Sequence, residues 1–95
     1  MTKDQFVASL AADAPPAGLS APLQALWRSA KDDWDAAHKL VQSDDSKEAA
    51  WVHAHLHRIE GDIDNAGYWY RRADRPAAES DLADERASIL ATLLP

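Results

Sequence analysis

The chain's 95 residues are expected to form a single domain, 1–95, with no room for a catalytic unit beside an accessory one. Ten Lys/Arg against 16 Asp/Glu leave a net charge of −6, and each half (1–50 and 51–95) carries five basic against eight acidic residues, so no basic stripe exists to neutralise phosphates. That excludes nucleic acid and anionic membrane surfaces as partners, and the absence of cysteine excludes disulfides and thiolate metal sites.

Hydrophobic residues make up 46% of the chain, but alanine supplies much of that share, so four Trp and two Tyr must carry much of the burial. No apolar run approaches the ~20 residues of a membrane span. Met1-Thr2-Lys3-Asp4-Gln5 lacks the charged-then-apolar form of a signal peptide, which makes the cytoplasm the expected location.

Taken in chain order, the sequence reads as helices throughout. Thr2 and Gln5 have capping-box spacing, and Phe6 and Leu10 continue a short helix to about residue 13 before Pro15, Pro16 and Gly18 break it. Ser20 caps a second helix, with Pro22 just inside it. Leu23, Leu26, Trp27 and Ala30 then lie on one face as far as about residue 31. Asp32 and Asp33 offer caps for a third helix over 34–42, striped by Trp34, Ala37 and Val41 with His38 beside Trp34. After the polar break 43–46, Ser46 caps a fourth helix running to about residue 60, where Gly61 is a natural terminator. Asp62 caps a fifth through Ile63, Ala66, Tyr70 and Ala73, ended by Arg75-Pro76. The last helix is expected over 77–93, with Leu82, Arg86, Ile89 and Leu93 on one line and Leu90 and Leu94 alongside.

No alternating β-branched run competes with this reading, so the expected fold class is all-α with about six helices. A shift of 29 residues pairs Asp33-Trp34-Asp35-Ala36-Ala37 with Asp62-Ile63-Asp64-Asn65-Ala66, and Trp27 with Leu56. Such a period marks stacked helical hairpins. The expected organisation is an N-terminal helix and Pro-rich turn (1–19), a first hairpin (20–43), a second hairpin (46–76) and a C-terminal capping helix (77–95). The surplus of leucines in that last helix points to a possible homodimer.

In the second hairpin, Ala54, Gly61, Ala66, Tyr70, Ala73 and Pro76 resemble the small–Gly–Ala–aromatic–Ala–Pro pattern of tetratricopeptide and Sel1-like repeats. The match departs at His57, where an aromatic is usual, and in pitch, which is shorter than the roughly 34 residues of tetratricopeptides. The segment W-V-H-A-H-L-H-R-I-E-G-D-I-D-N-A-G-Y-W-Y-R-R-A (51–73) is also similar to a signature, W-x-H-A-x-L-H-R-x-E-G-D-x-x-N-A-x-Y-W-Y-R-R-A, of short, mainly bacterial proteins with no established activity. The resemblance implies a right-handed, tetratricopeptide-like stack of hairpins and singles out residues without naming a reaction.

Those residues are the candidate site. His53 and His57 stand four apart on one helical face, continued by Glu60, which is the spacing of two metal-ligating imidazoles. It is equally the spacing of buried, hydrogen-bonded histidines beneath a helix that packs closely over Ala50 and Ala54. A metal would need a third ligand, for which His38 is the available imidazole, so no metal or cofactor is assigned. No nucleophile has a recognisable setting, and no catalytic residue is assigned. Tyr68, Trp69 and Tyr70 point in different directions on a helix. Tyr70 belongs to the core line, and Arg72 lies one turn beyond Tyr68, within stacking reach. The sequence therefore favours a non-catalytic helical-repeat module that binds a protein or peptide. The candidate partner-binding residues are His38, Trp51, His53, His55, His57, Glu60, Tyr68, Trp69 and Arg72. The alternative is a small-molecule or metal-binding protein centred on His38, His53, His57 and Glu60.

Overall fold

A computed structural model describes residues 1–95 as six helices and no strand: α1 (Lys3–Ser9), α2 (Ala21–Ala30), α3 (Trp34–Gln42), α4 (Lys47–Ile59), α5 (Ile63–Ala73) and α6 (Leu82–Leu93). All six starts are capped by a side-chain oxygen accepting from a backbone N–H three residues on: Thr2, Ser20, Asp33, Ser46, Asp62 and Asp81. Thr2 and Gln5 form the full reciprocal box. No helix is long and apolar enough to cross a membrane.

α2 packs on α3 and α4 packs on α5, each pair joined by a three-residue turn, and the two turns share one construction. In the first, Asp32 adopts φ 62° and the Asp33 N–H donates to the Arg28 carbonyl at 2.9 Å. In the second, Gly61 adopts φ 86° and the Asp62 N–H donates to the His57 carbonyl at 2.9 Å. Each partner is displaced by 29 residues from its counterpart, so the sequence period is also a period of backbone geometry.

α4 lies at the centre. Every residue from Ala49 to His57 is buried, because α2, α3, α5 and α6 all pack against this helix. Trp27, Leu26, Leu56, Val52 and Ile89 fill the space between these elements. Small residues (Ala25, Ala37, Ala49, Ala54, Ala66) let the backbones approach. Trp34 ties the first hairpin to the second by donating its indole N–H to the Leu56 carbonyl at 2.6 Å. α1 is anchored by buried Phe6 and by Trp27, whose indole N–H donates to the Ser9 hydroxyl at 3.0 Å.

Two boundaries differ from those expected. α1 stops at Ser9 rather than near residue 13, because the chain tightens into three-residue turns after it. The Lys31 ammonium there takes the Leu10 and Ala12 carbonyls at 2.6 and 3.2 Å. α6 begins at Leu82 rather than 77, since Arg58 binds the Ser80 carbonyl and Asp81 supplies the cap. Its inward line is also different: Glu85, Ile89 and Leu90 are buried, whereas Leu82 is exposed and Arg86 half-buried.

Candidate functional site

Three histidines on one fully buried stretch of helix must each find a polar partner, since an unpaired buried ring nitrogen costs about 1–3 kcal/mol. His53 and His57 share one face of α4, and His55 points the other way. The central helix therefore carries two separate polar sites.

The first lies where α3, α4 and α5 meet. His38, half-exposed on α3, brings its Nε2 to 3.0 Å from the Nε2 of buried His53. His57, one turn further along, places its Nδ1 2.6 Å from the Glu60 carboxylate, while its Nε2 lies 3.4 Å from the Asn65 amide nitrogen. A nitrogen from each of His38, His53 and His57 lies within 4.8 Å of the others. The rings are braced from outside. Trp34 stacks on His38 with centroids 4.7 Å apart, and Trp69 stacks on His53 at 3.8 Å. The row continues to the surface, where Tyr68 meets Trp69 edge-on at 5.1 Å. The Arg72 guanidinium lies 5.9 Å from the Tyr68 ring and 5.4 Å from that of Trp69, and donates to the Tyr68 hydroxyl at 3.1 Å.

Burial, reinforced by His57 and His38, holds the His53 imidazole down to about 4. His38 is lowered as well, by burial and then His57, against the opposing pull of Glu60 and Asp35. The His53 Nδ1 is buried without a partner.

The second site faces α6. The His55 Nδ1 is 2.6 Å from Glu85 Oε1, Arg58 donates to the same oxygen at 3.1 Å, and the Tyr70 hydroxyl donates to Oε2. Burial alone would push the Glu85 carboxyl up. Hydrogen bonds from His55, Tyr70 and Arg58 outweigh that and leave it below the usual carboxylate range. Tyr70 is pushed up, by burial first and then by its bond to Glu85. His55, Tyr70 and Arg58 converge on one carboxylate that joins α4, α5 and α6, which is the signature of a structural clamp, and the His55 Nε2 is buried without a partner.

The structure thus gathers His38, His53, His57, Glu60, Tyr68, Trp69 and Arg72 into one continuous cluster. It separates two other candidates from it. His55 belongs to the clamp, and buried Trp51 lies under the Arg75 guanidinium, 4.0 Å from the ring centroid, beside a different cleft. Sequence reasoning missed Glu85, Arg58 and Asn65. The available signal for Glu85 was its place one turn before Ile89, a carboxylate on an apolar line. The clefts beside Trp51 and those lined by α1, α2 and α6 do not include His38, His53 or His57. No family model, curated protein or solved structure matches the chain.

Proposed function

We propose that the chain is a non-catalytic, tetratricopeptide-like module that binds a protein or peptide through the face shared by α3 and α5. The observation that carries this reading is the ring row ending in Trp69, Tyr68 and Arg72. Tyr68 is 44% exposed, Trp69 is held rigid by its stack on His53, and the exposed guanidinium of Arg72 sits over both rings. Pre-braced aromatics beside an arginine lose little entropy on binding and are the residue types that dominate binding energies at interfaces. On a chain of net charge −6, the Arg72 guanidinium at the end of this row fits an acidic segment carrying an aromatic or large apolar side chain.

The four imidazoles bond to one another, to Glu60 and Glu85, and to Asn65, and none bonds to a hydroxyl. The test is titration of the isotope-labelled protein with an Asp/Glu-rich peptide containing one tryptophan. Shifts should map to Trp34, Tyr68, Trp69 and Arg72. Trp69→Ala and Arg72→Ala should each weaken binding tenfold or more, about 1.4 kcal/mol. Shifts confined to another face, or no binding at millimolar peptide, would overturn the reading.

A further inference from the structure

Neither a hairpin scaffold nor a peptide-binding face requires three imidazoles to converge. We infer that His38, His53 and His57 form a binding site for a zinc-class divalent cation, with Glu60 as the positioning residue that orients His57. The inference does not rest on the peptide-binding reading, because it draws on the inner side of the ring row.

The donor geometry carries it. On a tetrahedral zinc with bonds of about 2.0–2.1 Å, neighbouring nitrogens stand about 3.4 Å apart. His38 and His53 present theirs at 3.0 Å, and the three residues offer nitrogens within 4.8 Å of one another. Reaching the zinc arrangement means opening the close pair by a few tenths of an ångström, drawing the wider pairs in by about 1.4 Å at most, and turning His53 and His57 out of their mutual stack, in which the ring centroids lie 4.8 Å apart at 26°. Trp34, stacked on His38, and Trp69, stacked on His53, hold those two rings at the rim of the cluster.

The proton inventory agrees. Glu60 accepts from His57 Nδ1 at 2.6 Å, which fixes the proton there and leaves the Nε2 lone pair free apart from a long 3.4 Å contact to Asn65. A carboxylate on the far nitrogen is how proteins set the tautomer of a metal-ligating histidine. Between His38 and His53 the two facing Nε2 atoms share one proton. Binding a cation displaces it. The shift falls to half-exposed His38, which moves its proton to the other ring nitrogen against solvent, while His53 keeps its own on buried Nδ1. No net proton is released and all three rings stay neutral. Three imidazoles are one donor short of four, so water completes the set.

A competing arrangement uses His57, Glu60 and Asp62, whose donor atoms also cluster. It is the weaker one. Both carboxylates are exposed, and that of Asp62 already caps α5 through the Asn65 N–H.

The experiment is zinc titration of the chelator-stripped full chain by calorimetry, with cobalt as the absorbing substitute and histidine-detected NMR. Expected are one zinc per chain, a cobalt spectrum of tetrahedral intensity, and a rise in Tm. Ring signals of His38, His53 and His57 should move while that of His55, buried in the Glu85 clamp, stays still as an internal control. His38→Gln, on the half-exposed helix, should weaken zinc at least tenfold. Glu60→Gln, whose amide oxygen still accepts from the His57 Nδ1–H, should weaken it about tenfold while leaving the metal-free Tm nearly unchanged. Asp62→Asn, which keeps a capping side chain, should bind as the parent does. The site is overturned by no binding with zinc in excess, by several weak equivalents that His38→Gln leaves intact, or by loss in Asp62→Asn with His38→Gln unaffected.

Discussion

His53 shows how much one residue's surroundings decide. An unfolded chain returns its ring to the ordinary value near 6.5, whereas the folded one holds it at about 4. Falling pH therefore protonates the unfolded state first. The stability this ring contributes is complete above about pH 6.5 and drains away as pH falls toward 4. His38 acts in the same direction. The gap corresponds to about 3 kcal/mol at the order-of-magnitude level. In chelator-treated protein, the denaturant midpoint should be lower at pH 5 than at pH 7.5, and His53→Gln should shrink that difference. A parent more stable at pH 5, with the advantage lost in the variant, would show that the ring is charged in the fold. The spacing of His53 and His57 was legible in the sequence. So was the pairing of His57 with Glu60, three residues apart; the meeting of His53 with His38 was not, because it depends on which helix crosses over the stripe.

Among the elements, the paired turns give the sharpest contrast. Both require a left-handed residue, filled by Asp32 in one and Gly61 in the other. A side chain pays a steric cost in that conformation that glycine escapes. A Cβ at Gly61 would meet nothing within 4 Å, so only the backbone strain opposes it. Asp32→Gly should accordingly stabilise the fold by about 0.5–1 kcal/mol, and Gly61→Ala should destabilise it by about 1–2 kcal/mol. Equilibrium unfolding of the two variants checks both, and equal signs would refute the equivalence of the turns. Helix starts were readable because a cap is a contact between residues three apart. The start of α6 was misplaced because Ala77 and Ala78 favour a helix locally, while the chain over 77–81 is committed to bridging α5 and α6, with Ser80 held by Arg58.

For the whole molecule, the Cα radius of gyration of 12.2 Å agrees with about 12.4 Å for a compact domain of this length. α6 folds back over both α4 and α2, so the leucine-rich face invoked for self-association is largely spent. Ile89 and Leu90 are buried, and Leu93 and Leu94 pack half-buried against the core. Light scattering at high micromolar concentration should give a mass near 10.4 kDa, and a mass near twice that would restore a two-fold contact through α6.

By itself the sequence determined the six helices, most of their caps and the histidine stripe, since each is written in residues a few positions apart, and the period of 29, since the same turn residues recur. The tertiary structure alone decided that α4 is enclosed on all sides, that His38 meets His53, and that Glu85 turns inward to receive His55, Tyr70 and Arg58. A buried carboxylate is stable only where its donors arrive from other helices. Those donors lie 15 to 30 residues away along the chain, a distance that local periodicity does not register.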